Sequence, residues 1–93
     1  MKINLQTLHF KASSALGEFV EDKVSKLARF DDSIISAEVV LTLDGNSVDN
    51  KHCDIRLVVP GNDDFVKRSA VSFEEAIAGC VDTLQKILTE KKR

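Results

Sequence analysis

Residues 34–59 read IISAEVVLTLDGNSVDNKHCDIRLVV, and the two alternating runs in this stretch decide the fold. Over 34–43, Ala37, Val39, Leu41 and Leu43 fall on one side, with Glu38 and Thr42 on the other. Over 51–59, Cys53, Ile55, Leu57 and Val59 alternate in the same way with His52, Asp54 and Arg56. A period of two is the mark of a half-buried strand. Asp44-Gly45-Asn46-Ser47 between the runs is a turn cluster, so the stretch is an antiparallel hairpin with one apolar and one polar face.

Outward from the hairpin, the apolar face finds its cover. Pro60-Gly61-Asn62-Asp63 turns the chain into a short strand near 65–71. Ser72-Phe-Glu-Glu75 follows with the spacing of a capping box. Phe73, Ala76, Ile77, Cys80, Val81, Leu84, Ile87 and Leu88 then recur as the stripe of an amphipathic helix. Gly79 lies in its middle at a cost of about 1 kcal/mol relative to alanine, and close packing on the sheet is the expected reason. On the N-terminal side, Lys2–Leu8 (KINLQTL) alternates, with Ile3 and Leu5 on one face and Lys2, Asn4 and Gln6 on the other. Ser13 or Ser14 can cap the next helix, in which Leu16, Phe19, Val20, Val24 and Leu27 form a stripe through about residue 30 before Asp31-Asp32-Ser33 end it.

The order is therefore β-α-β-β-β-α, an α+β fold. A right-handed crossover makes the first two strands parallel, hairpins add the rest, and both helices cover one face of a four-stranded sheet. The bare face carries Asn4, Gln6, Glu38, Thr42, His52, Asp54 and Arg56, with Val40 and Val58 as the apolar exceptions.

Composition agrees with one domain over residues 1–93. Hydrophobic residues make up 43% of the chain, too many for a disordered one. No apolar run reaches the roughly 20 residues of a membrane helix, and the alternating start is unlike a signal peptide, so the expected location is the cytoplasm. Cys53 and Cys80 fit no metal or redox spacing. They read as reduced core residues, the alternative being a disulfide, which a cytoplasmic location disfavours.

No catalytic constellation assembles. His9 and His52 are the only histidines, no acid or serine stands beside either in sequence, and His52 and Cys53 point to opposite faces of their strand. The four glycines are too dispersed for a phosphate loop, and Asp31-Asp32 and Asp63-Asp64 read as turn and cap residues. The expectation is a docking protein without a cofactor, metal or small-molecule substrate.

The formal net charge is −2, which does not favour a nucleic-acid partner, but a local basic face can act inside an acidic whole. At about 100° per residue, Lys23 falls on nearly the heading of Leu16, and Lys26 falls beside Phe19 and Phe30. Either these lysines simply snorkel over the apolar stripe, or packing holds their cations ready for a phosphate. Arg29 is a turn further round. Lys86 lies beside the second stripe, Lys91, Lys92 and Arg93 make a basic end, and Lys67 and Arg68 sit on the last strand.

The stretch Ser14–Phe30 (SALGEFVEDKVSKLARF) resembles the first helix of the ribosome hibernation promoting factor and ribosome-associated translation inhibitor family, whose pattern is A-L-x-x-[FH]-V-x-x-K-x-x-K-L-x-x-[FYW]. Ala15, Leu16, Phe19, Val20, Lys23, Lys26, Leu27 and Phe30 all match. Ala76-Ile77, Val81-Asp82, Leu84, Lys86 and Leu88 resemble the family's second helix. The departures are Thr83 for a usual lysine, Glu74 for an aromatic, Gly17 for a common basic residue, and Lys67 and Arg68 for small or acidic ones.

The resemblance implies a fold similar to double-stranded-RNA-binding domains, in the family's short form without a dimerising C-terminal domain, expected as a monomer when free. It implies binding to the small ribosomal subunit in the tRNA and mRNA channel, with silencing of idle ribosomes. The implied rRNA-contacting residues are Lys23, Lys26 and Lys86, and by their basic charge and position Arg29, Lys67, Arg68, Lys91 and Lys92 are expected to join them. The rival reading is a protein-binding module on the same fold that has lost RNA affinity.

Overall fold

The computed structural model describes residues 1–45 and 48–91, the last by its backbone. The elements are β1 (Lys2–Leu8), α1 (Ser14–Ser25) running into a 3-10 turn (Lys26–Arg29), β2 (Ser36–Leu43), β3 (Lys51–Val58), β4 (Asp64–Ala70) and α2 (Phe73–Lys91). The strand order is β1-β2-β3-β4, with β1 parallel to β2 and the other pairs antiparallel. The expected β-α-β-β-β-α architecture is the observed one.

Local chemistry sets the boundaries. The Ser13 hydroxyl accepts from the Leu16 N–H at 3.1 Å and caps α1, and Ser72 does the same for Glu75 N–H at 3.2 Å at the start of α2. Asp31 Oδ1 accepts from the Ser33 N–H at 2.9 Å, a turn that stops the first helical segment. That segment is not α-helical throughout, because it tightens to 3-10 geometry at Lys26, a common way to finish a helix.

The core lies between sheet and helices. Val20, Val24 and Leu27 meet Ala37, Val39 and Leu41 of β2, Cys53, Ile55 and Leu57 of β3, and Ile77, Cys80, Leu84 and Leu88 of α2. All of these are at most 1% exposed, so the alternation read from the hairpin is the alternation that is buried. Cys53 and Cys80 are free thiols inside this core, and the Cys80 thiol donates to the Cys53 carbonyl at 3.2 Å. The Cys53 thiol is held far above its ordinary value by its side-chain hydrogen bond with Cys80 and by burial.

β1 departs from expectation. Its Leu5, placed inward by the alternation, is 37% exposed, because β1 is an edge strand and α1 does not close over it. Phe10, from the β1–α1 connection, stacks on Phe73 with centroids 4.4 Å apart and ties that connection to the start of α2.

Candidate nucleic-acid interface

α1 has two unlike flanks. Gly17, Glu18 and Glu21 line a depression with Ile3 and Leu5, so this flank faces β1. Helical periodicity puts Phe19, Lys23 and Lys26 on the other flank, the side of α2. Lys23 is half-buried, and its ammonium stands 5.6 Å from the centre of the Phe19 ring, within cation–π reach. Lys26 is exposed and pairs with Asp22 at 3.7 Å, one turn earlier. Arg29, in the 3-10 turn, is exposed.

A second group forms on α2. β4 alternates, so Arg68 shares the helix-covered face with buried Val66 and pairs in register with Cys53. Its stem then runs against α2 at Gly79, where a Cβ would lie 3.4 Å from Arg68 Cγ. A β-carbon there would make only ordinary van der Waals contact with that stem, so Gly79 lies against the arginine without being required by it. The guanidinium Nη2 donates to Thr83 Oγ1 at 2.7 Å, and the Thr83 hydroxyl donates its own proton to the Gly79 carbonyl at 3.0 Å. That leaves the Thr83 lone pairs to receive Arg68. Lys86 is exposed and falls on the same ridge of α2 as Gly79 and Thr83, seven and three residues further along.

The remaining cations do not join these groups. Lys67 stands opposite Asp54 in the strand register, on the bare face of the sheet away from the helices, because one residue along a strand changes the face. Lys67 and Arg68, both expected to contact rRNA, therefore face opposite sides of the sheet. Lys91 is placed by its backbone alone, and Lys92 lies outside the described residues.

The contact of Arg68 with Thr83 was missed from the sequence. The signal that pointed to it is the shared strand face of Val66 and Arg68, the face that α2 covers.

His52 gains partners that the sequence did not place beside it. Its Nδ1 is 2.6 Å from Ser69 Oγ across the β3–β4 ladder, and its Nε2 is 3.8 Å from Asp44 Oδ2. Ser, His and Asp in a row invite comparison with a hydrolase. However, Ser69 lies exposed on an edge strand, and the Asp44 contact is beyond hydrogen-bond distance. The adjoining open depression, lined by His9, Thr42, Leu43, Asp44, Gly45 and His52, does not include Ser69. The row therefore reads as a polar clasp at the end of the hairpin. Among the described residues there is no group of three or more ligating side chains suited to a metal, and no helix is long and apolar enough to cross a membrane.

A four-stranded sheet with one face bare and two helices on the other, in the order β-α-β-β-β-α, defines a domain of the α+β class. A family model described as "Sigma 54 modulation protein / S30EA ribosomal protein" matches residues 3–93, and the chain belongs to that family of ribosome-associated proteins. Its structure is similar to the Thermus thermophilus Protein Y N-terminal domain, with 26% identity, a TM-score of 0.83, and coverage of 98% of this chain and 99% of that one. It also shares the fold of a ribosomal subunit interface protein from Coxiella burnetii, with 18% identity, a TM-score of 0.87, and coverage of 99% and 98%. Among curated proteins none matches significantly. The resemblance first carried by Ala15–Phe30 is thus borne out over nearly the whole chain.

Proposed function

We propose that this protein docks on the small ribosomal subunit, in the tRNA and mRNA channel, and holds idle ribosomes out of translation. The observation that carries the reading is Lys23. It is half-buried, with its ammonium 5.6 Å from the Phe19 ring centre, where packing rather than free rotation sets its position. A cation held this way gives up less side-chain entropy when it meets a phosphate. Lys26 and Arg29 continue the α1 group, and Arg68 and Lys86 form a second group across α2. Structured RNA is recognised largely through its shape and backbone, which suits two groups of cations on a rigid helical layer. Lys91 and Lys92 extend the second group by sequence position, whereas Lys67 is the least suited member because it faces away from the helices.

Occupation of the channel excludes its normal occupants, so inhibition needs no chemistry. The similarity to structures titled Protein Y and ribosomal subunit interface protein supports this reading. The cytoplasm, where ribosomes work, is the corresponding location. A cell-free translation reaction tests the function. Protein added in stoichiometric excess over free ribosomes should suppress synthesis, and undiminished synthesis would overturn the proposal.

A second reading, a protein-binding module, is favoured by the net charge of −2 and by the division of the cations into separate groups. It predicts undiminished synthesis in the same reaction.

A further inference from the structure

We infer that the free edge of β1, with the groove it shares with α1, is a docking site for an extended peptide bearing lysine or arginine. The Lys2 N–H donates to the Ile35 carbonyl at 3.2 Å, which turns the even-numbered residues of β1 toward β2. In a parallel pair alternate residues face opposite ways, so Ile3, Leu5 and Thr7 direct their N–H and C=O groups to the open edge. Such an edge is a template for an added strand.

The side chains of Ile3 and Leu5 also enter the groove. Together with Gly17, Val20, Glu18 and Glu21 they line a depression of ≈ 350 Å³. Leu5 is 37% exposed while its partner across the ladder, Val39, is 1% exposed, so the core stops short at this edge. Gly17 keeps the groove open, because a Cβ built there meets nothing within 4 Å. A second depression of ≈ 450 Å³ continues past Glu18 and Glu21 to Asp22 and Ser25, with Ile3 again in its wall.

The floor is apolar and the lip is acidic. A lysine or arginine satisfies both at once, laying its stem over Leu5 and its charge against Glu18 or Glu21. Every second residue of an added strand would face this way. A second copy of the chain fits poorly, because pairing β1 with β1 sets two α1 helices along one seam with their Glu18 and Glu21 rows opposed. A nucleic acid is repelled by the same carboxylates. The groove beside Gly17 and Glu21 lies on the opposite flank of α1 from Lys23, and Lys26 meets only its far end through Asp22, so the site does not depend on the ribosomal reading.

The test uses a seven-residue peptide alternating lysine with threonine, and a control with glutamate for lysine, titrated into the isotopically labelled protein by NMR. The lysine peptide should shift amide signals concentrated in residues 3–7 and 14–22. Glu18→Gln with Glu21→Gln should weaken it about tenfold, a difference of two screened charge contacts. Gly17→Leu should abolish binding by filling the groove at unchanged charge. Thr7→Pro removes one outward N–H, spares the β1–β2 ladder, and should also weaken binding. Equal binding of the glutamate peptide, shifts elsewhere, no shift at millimolar peptide, or concentration-dependent pairing of the protein through β1 would each overturn the inference.

Discussion

Replacing Lys23 and Lys26 together by glutamine separates a binding surface from mere snorkelling. The cost to the fold follows from the contacts. The Lys23 ammonium over Phe19 is worth about 0.5–1 kcal/mol. The Lys26–Asp22 pair, with the lysine side chain 46% exposed, adds at most about 0.3–0.5 kcal/mol after screening by solvent. About 1 kcal/mol is small beside the roughly 5–15 kcal/mol of a typical domain, so the variant stays folded. Binding responds differently. Each phosphate contact contributes about 0.7–0.9 to the slope of log affinity against log salt, so two contacts contribute about 1.4–1.8. Over a fourfold rise in salt, the unmodified protein should therefore lose about tenfold more affinity than the variant. Fluorescence anisotropy of labelled protein titrated with small ribosomal subunits at several salt concentrations reads both slopes. Parallel slopes from two folded proteins would refute the assignment and leave these lysines as stems over an apolar stripe.

Other consequences are open to simple measurement. Gly79→Ala should stabilise the protein by about 0.5–1 kcal/mol through helix propensity, since the nearest obstacle is a flexible Arg68 methylene; a lower urea midpoint would contradict this. Thr83→Val should cost roughly 1 kcal/mol and release the Arg68 guanidinium, seen by NMR as loss of its distinct side-chain N–H signals. Ser13→Ala should cost about 1 kcal/mol in thermal or urea unfolding by removing the α1 cap. The raised Cys53 thiol sets a pH dependence. Its stabilising contribution is intact below the ordinary thiol value of 9.0. Above it the unfolded thiol ionises before the folded one, so the contribution of this group to stability should fall as pH rises. Cys53→Ala should flatten that fall in urea titrations at high pH.

The fold was legible because alternation in 34–59 and the two helical stripes are one-body patterns: each residue reports its own face. The resemblance to the family rested on the same helix, where eight positions carry both packing and charge. What stayed hidden depends on pairs distant in sequence. Arg68 and Thr83 meet because β4 lies beside α2, and His52 meets Ser69 because of a register that turn lengths set. Leu5 shows the complementary limit. Its alternation is correct, yet periodicity cannot tell an edge strand from a covered one, and the exposure of Leu5 follows from where β1 stands in the sheet. Lys67 and Arg68 are adjacent in sequence and on opposite faces in the structure, so the strand period keeps them from meeting one partner surface together.

The most direct measurement is sedimentation of the protein with purified small ribosomal subunits through a gradient at low and at high salt. Cations meeting rRNA phosphates predict that the protein travels with the small subunit at low salt and is released at high salt, and that the Lys23→Gln, Lys26→Gln variant stays behind. Protein that remains at the top of the low-salt gradient, or that sediments equally at both salts, would contradict the account.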